Sequence, residues 1–180
     1  QYAPSTPSVG GPSSGYVSQS YQFSAVSTDA NGDNIRYTFD WGDGTDYTTG
    51  WYSSGSTAYA SHTWTSAAQY SVTVTAQDST GLSSGSSSPH SMTVQTQQTY
   101  YLLTVTASDA YNNNLEPPVY IDGGYVGLAG NTFQVTAGAH TVAVHSPFIY
   151  WTFDQFSDGL GNGATRQITS NTNLHAWYTF

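Results

Sequence analysis

The chain has 180 residues, enough for two small domains, each of a size that buries roughly 60–65% of its unfolded surface. Only 7% of it is charged, the net charge is -9, lysine is absent and Arg36 and Arg166 are the only arginines, which excludes nucleic acid as a partner because almost nothing is there to release counterions from phosphates. No cysteine occurs, which excludes disulfides and thiolate metal or haem sites, and no apolar run reaches the ~18–20 residues of a membrane helix, so no membrane insertion is expected.

Without a lysine amine, isopeptide cross-links and Schiff-base chemistry are also ruled out, so any assembly of this chain is non-covalent. Gln1 as the first residue, rather than Met, fits a mature terminus left after signal-peptide removal, and an extracellular or cell-surface setting is expected. Residues 1–19 are rich in Pro, Gly and Ser. Pro4, Pro7 and Pro12 bar a central strand position, which leaves a solvated leader or a first edge strand. The other reading is an N-terminal arm that adds a strand to a neighbouring subunit.

Strands are predicted at 21–26, 35–41, 58–64, 70–77 and 91–95. In the second of these, Tyr37, Phe39 and Trp41 alternate with Thr38 and Asp40, so one face carries three aromatics. Gly42-Asp-Gly44 then supplies a tight turn. Tyr70, Val72, Val74 and Ala76 alternate with Ser71, Thr73, Thr75 and Gln77, which fixes the inward face of the fourth strand. Between the first two strands, Asp29-Ala-Asn31-Gly-Asp33 puts three oxygen-bearing side chains at alternate positions of one loop, a pattern that converges ligands on a hard cation such as calcium. Asn34 stands where a helical calcium loop needs glycine, so that loop type is excluded. The same residues also suit an Asx-type turn whose carboxylates satisfy backbone amides without an ion.

The run Tyr37-Thr-Phe-Asp-Trp-Gly-Asp-Gly-Thr45, followed by Ala60-Ser-His-Thr-Trp64 and Tyr70-Ser-Val-Thr-Val-Thr-Ala-Gln-Asp78, resembles the signature of polycystic-kidney-disease (PKD) domains. The resemblance implies an immunoglobulin-like β-sandwich of an extracellular or cell-surface protein over residues 20–97. It also implies a calcium loop completed by an acid at the end of the last core strand, here Asp78.

Gln95-Thr-Gln-Gln-Thr99 is short and polar and reads as the seam before a second domain at 98–180. Leu103, Val105 and Ala107 alternate with Thr104 and Thr106, and Val119-Tyr-Ile-Asp-Gly-Gly-Tyr-Val-Gly127 gives two strands joined across Asp122-Gly123, a strong hairpin signal. With a further strand in Val135-Thr-Ala-Gly-Ala-His-Thr-Val-Ala-Val144, the region resembles PEGA-type and related small surface β-domains. The tail, from Trp151-Thr-Phe-Asp-Gln-Phe-Ser-Asp-Gly159 to Tyr178, is similar to repeats of bacterial and archaeal surface proteins. Both resemblances imply a second sandwich, so the whole chain is expected to be all-β, with two tandem immunoglobulin-like β-sandwich domains.

Catalytic readings find little support. The Gly-Asp-Gly turn accounts for Asp43, with Asp40 on a strand's polar face and Asp46 close by. Asp154 and Asp158 show no cleft or defined separation for paired-carboxylate sugar chemistry. The histidines are scattered, and no Gly-x-Ser-x-Gly elbow occurs. The chain reads as a non-enzyme. Its aromatic surplus, Tyr 15, Phe 7 and Trp 5, goes partly to the core. Trp51, Tyr52, Tyr59 and Trp64 are the candidate binding residues, as a subunit interface depleted in charge or as a platform for sugar rings.

The expected function is a structural subunit of an extracellular filament, pilus-like fibre or surface layer, a homo-oligomer or homopolymer. It would be built by strand addition through residues 1–19 or 174–180 and by aromatic interfaces. The alternative is a carbohydrate-binding or adhesive accessory module that meets cell-surface glycans. No Asn-x-Ser/Thr acceptor occurs, so any glycan on the chain is O-linked. Calcium, at Asp29, Asn31, Asp33 and Asp78, is the one cofactor under consideration.

Overall fold

Apolar and polar residues alternate along short segments broken by Gly- and Ser-rich turns, and among the described residues every regular element is a strand. The computed structural model describes residues 1–109, 111, 113–145 and 152–179. The chain divides into two units, Gln1–Gln97 and Gln98–Phe180, each with its own apolar core. It is all-β, two immunoglobulin-like sandwiches in tandem.

The first unit contains β1 (Ser8–Gly10), β2 (Ser14–Tyr16), β3 (Ser20–Val26), β4 (Ile35–Asp40), β5 (Asp46–Thr48), β6 (Ala58–Thr63), β7 (Ala68–Asp78) and β8 (His90–Gln95). One sheet runs β1-β3-β6 and the other β2-β8-β7-β4-β5. β4 and β7 pair antiparallel with Phe39 opposite Val74, so their buried faces coincide and Ile35, Tyr37, Phe39, Val72 and Val74 close the core from one side. Phe23 and Ala25 of β3 and Ala58 and Ala60 of β6 face them. Trp41 and Trp64, each 1% exposed, cross edge to face at 6.2 Å, and the Trp64 indole N–H donates to the Trp41 carbonyl at 3.3 Å.

Residues 1–19 are not a free arm. β1 pairs antiparallel with β3, Ser8 opposite Val26, and β2 pairs parallel with β8, Ser14 opposite Thr93. Both are three-residue edge strands of different sheets, the places where proline is tolerated. The chain changes sheet at Gly11, where a Cβ would lie 2.3 Å from the Phe23 ring; only glycine lets the backbone pass that close.

The second unit contains β9 (Tyr100–Asp109), β10 (Pro118–Ile121), β11 (Gly124–Leu128), β12 (Thr132–Thr136), β13 (Gly138–Val144), β14 (Thr152–Phe156), β15 (Thr165–Ile168) and β16 (Thr172–Thr179). Its sheets run β11-β10-β13-β15 and β12-β9-β16-β14. Asp122 and Gly123 both have positive φ, 52° and 79°, the conformation a two-residue hairpin needs. The run 135–144 is not one strand: it breaks at Ala137 ahead of Gly138, φ 135°, and β12 and β13 join opposite sheets. β16 lies between β9, with which it runs parallel, and β14. It is therefore a central strand, and residues 174–179 have no free edge to donate. Trp151 falls outside the described residues.

Candidate metal centre

The β3–β4 loop is shaped by Asp29. Its Oδ1 accepts the N–H groups of Asn31 at 2.8 Å and Asp33 at 3.2 Å, and its carbonyl accepts the N–H of Gly32 at 3.2 Å. Gly32 takes φ 77°, which turns the loop back on itself at no steric cost. Asp78 approaches from the end of β7, where the register sets it opposite Ile35. Its Oδ1 accepts the Thr80 hydroxyl at 2.8 Å and the N–H groups of Thr80 and Leu82, each at 2.9 Å.

Each carboxylate thus uses Oδ1 to build an Asx-type turn, and each leaves Oδ2 over. Asp29 Oδ2 and Asp78 Oδ2 are buried with no hydrogen-bond partner. One carboxylate oxygen from each of Asp29, Asp33 and Asp78 lies within 4.8 Å of the others. Burial pushes the Asp78 carboxyl up, but the Thr80 hydroxyl and the N–H groups of Leu82, Thr80 and Gly81 outweigh it and hold the group below the usual carboxylate range. Neither arginine neutralises the cluster: Arg36 is turned to Gln77 at 2.6 and 2.9 Å, and Arg166, in the other unit, is paired with Asp158. Unpaired buried carboxylates are costly. An oxygen-only donor set without His or Cys suits a hard divalent ion such as calcium rather than zinc, so the residues present fit the group. The turn reading and the ion reading are complementary here, since they use different oxygens of the same side chains.

Asn31 stands apart from this cluster. Its Oδ1 accepts the Tyr2 N–H at 2.8 Å, so the side chain anchors the N-terminal segment. Gln1, which sequence reasoning passed over, donates from Nε2 to Asp33 Oδ2 at 2.7 Å and to Thr80 Oγ1 at 3.1 Å. No local pattern signals it, because the contact depends on residues 1–5 running beside 27–33, where the Ser5 N–H donates to the Thr28 carbonyl at 2.8 Å.

The four candidate aromatics do not form one platform. Trp64 is in the core, and Tyr52 is half-buried and packs edge-on against Tyr37 at 6.3 Å. Trp51 is 48% exposed with the Arg36 guanidinium 5.0 Å over its ring. Tyr59 is exposed on β6, which belongs to the other sheet. Alternation along β6 and the core position of Trp64 separate them. Two of the aspartates set aside as catalytic have side-chain partners: Asp43 Oδ2 takes His62 Nε2 at 2.8 Å, and Asp158 binds Arg166.

Residues 1–94 match the family model described as PKD domain. Among solved structures, the PKD domain of an M14-like peptidase from Thermoplasmatales archaeon SCGC AB-540-F20 is similar at 37% identity, over 51% of this chain and 94% of that one, with a TM-score of 0.48. No curated protein matches. Among the described residues no helix is long and apolar enough to cross a membrane.

Proposed function

The chain belongs to the PKD domain family, non-catalytic immunoglobulin-like modules that occur in extracellular or surface proteins, and from that premise we propose that it is a structural module of such a protein whose first unit is clamped by calcium at Asp29, Asp33 and Asp78. The observation that carries this reading is the pair of buried oxygens, Asp29 Oδ2 and Asp78 Oδ2, left without a donor beside Asp33. An ion held there ties the β3–β4 loop to the end of β7, and because the unfolded chain offers no preformed site, binding free energy becomes folding free energy. At a tenfold excess of calcium over its Kd the gain is about 1.4 kcal/mol, or roughly 6–11 °C in the Tm of a domain this size. Melting the chain in calcium and in chelator tests it: the first unit should melt higher in calcium, and Asp78→Asn should remove the difference. Equal melting of the parent in both buffers would refute the clamp.

Assembly into a filament or surface layer is the further step of this proposal, and the second unit supports it. Tyr125, Val126 and Leu128 are exposed on β11, an edge strand of its sheet, and residues 124–136 carry no charge in a chain of net charge -9, so copies meeting at the β11 edge do so without like-charge repulsion. Strand donation by 1–19 or 174–180 is not part of the reading, since both segments pair within their own units. The kinship of 98–180 with PEGA-like domains is proposed alongside, on the Asp122–Gly123 hairpin. Negative-stain microscopy with light scattering tests assembly: ordered polymers are expected, and a monodisperse 19.3 kDa particle would favour an adhesive module acting through the exposed Trp51.

A further inference from the structure

We propose that Gln1 is a reversible partner of the calcium centre whose side-chain amide turns over on cation binding and fastens the N-terminal segment to the ion; this rests on the calcium reading above. The amide spans both arms of the centre. It donates to Asp33 Oδ2 at 2.7 Å, on the β3–β4 loop, and to Thr80 Oγ1 at 3.1 Å, and the Thr80 hydroxyl in turn donates to Asp78 Oδ1 at 2.8 Å. Bonds that do not involve the Gln1 side chain hold it in place: Tyr2 N–H to Asn31 Oδ1 at 2.8 Å, Ser5 N–H to the Thr28 carbonyl at 2.8 Å, and Thr28 N–H back to Ser5 Oγ at 3.0 Å.

An N–H donor and a cation compete for the same carboxylate oxygen. The terminal torsion of glutamine is broad and roughly two-fold, so half a turn exchanges Nε2 for Oε1 without moving the backbone. The two orphaned oxygens and one from Asp33 fall short of the about six to eight that calcium takes. An amide oxygen at the Gln1 position adds one without adding charge. Without the ion the amide hydrogen-bonds Asp33 as a donor; with it, the same side chain accepts, and residues 1–5 tighten as the centre fills.

The test uses the full chain with calcium chloride alone as probe. Calorimetric titration compares the parent with Gln1→Ala and Gln1→Glu, and NMR follows hydrogen exchange at the Tyr2 amide. Gln1→Ala should weaken calcium binding about fivefold, the size of one neutral contact. Gln1→Glu should bind more tightly than Gln1→Ala, and calcium should slow Tyr2 exchange in the parent but not in Gln1→Ala. If Gln1→Ala binds within twofold of the parent, or more tightly, the inference fails while the calcium centre stands. If the parent binds no calcium, both fail together.

Discussion

The Arg166 guanidinium meets the Asp158 carboxylate through two hydrogen bonds, 2.6 Å from Nε and 3.1 Å from Nη2, and spends its remaining donors on backbone carbonyls of Ala164, Val142 and Leu160. Phe156 lies 4.4 Å beneath it. A buried arginine with all its donors used is a structural clamp between β15 and the turn after β14.

Removing one partner of such a pair strands the other. Arg166→Met should destabilise the second unit by about 2–4 kcal/mol, below the full penalty of a deeply buried pair because Asp158 keeps some solvent. Denaturant unfolding followed by circular dichroism measures it. A change under about 0.5 kcal/mol, ordinary for a surface position, would contradict the clamp.

His140 gives the second unit a pH dependence. Its Nδ1–H donates to Asp122 Oδ2 at 2.7 Å and its Nε2–H to the Thr136 carbonyl at 2.8 Å, and two acceptors require both nitrogens to carry protons. The Asp122 bond holds the imidazole above its ordinary value of 6.5, and the His140 bond holds Asp122 below 3.8. The histidine's contribution is therefore full below about pH 6.5 and lost as pH rises through its folded value; the aspartate's is full above about pH 4 and lost as pH falls through its own. The Tm deficit of His140→Ala should be larger near pH 5.5 than near pH 9. An equal deficit at both would disprove the assignment.

Trp64 tests the independence of the cores. It stacks on Tyr70 at 5.3 Å and meets Phe23 edge-on at 5.9 Å. Trp64→Ala should cost the first unit about 3–5 kcal/mol and leave the unfolding of the second unchanged, read by scanning calorimetry as a shift of one transition only.

Gly11→Ala places a methyl against the Phe23 ring, which the core leaves no room to move. A loss of roughly 1–3 kcal/mol is expected from overpacking, against near zero for Gly50→Ala, where a Cβ meets nothing within 4 Å. Chemical denaturation of the two variants decides it.

Trp51→Ala removes an exposed ring from under Arg36. Since Gln77 still holds the guanidinium, the cost should stay near 0.5–1 kcal/mol, as thermal melting will show.

Period-two alternation made β4, β7 and the inward face of β9 readable one residue at a time, because burial of a strand face is a local property of the sequence. The Asp122–Gly123 turn was readable for the same reason: its backbone needs are met by two adjacent residues. The loop acids Asp29 and Asp33 were also legible as candidates from their spacing, and Asp78 through the resemblance to PKD domains. Which oxygens stay free was not, since that depends on Thr80, Leu82 and the loop amides arriving from other parts of the chain.

The sequence by itself determined an all-β, cysteine-free, charge-poor chain with strands at the right places in its first half. Only the tertiary structure decided that residues 1–19 close the first sandwich rather than reach outward, that β16 is central, and that Trp64 is core while Trp51 is surface. Short edge segments carry too few residues for a period, and whether an edge is filled by its own chain or a neighbour is a matter of long-range pairing. The same holds for Gln1, whose role comes from contacts with residues 32 and 79 positions away.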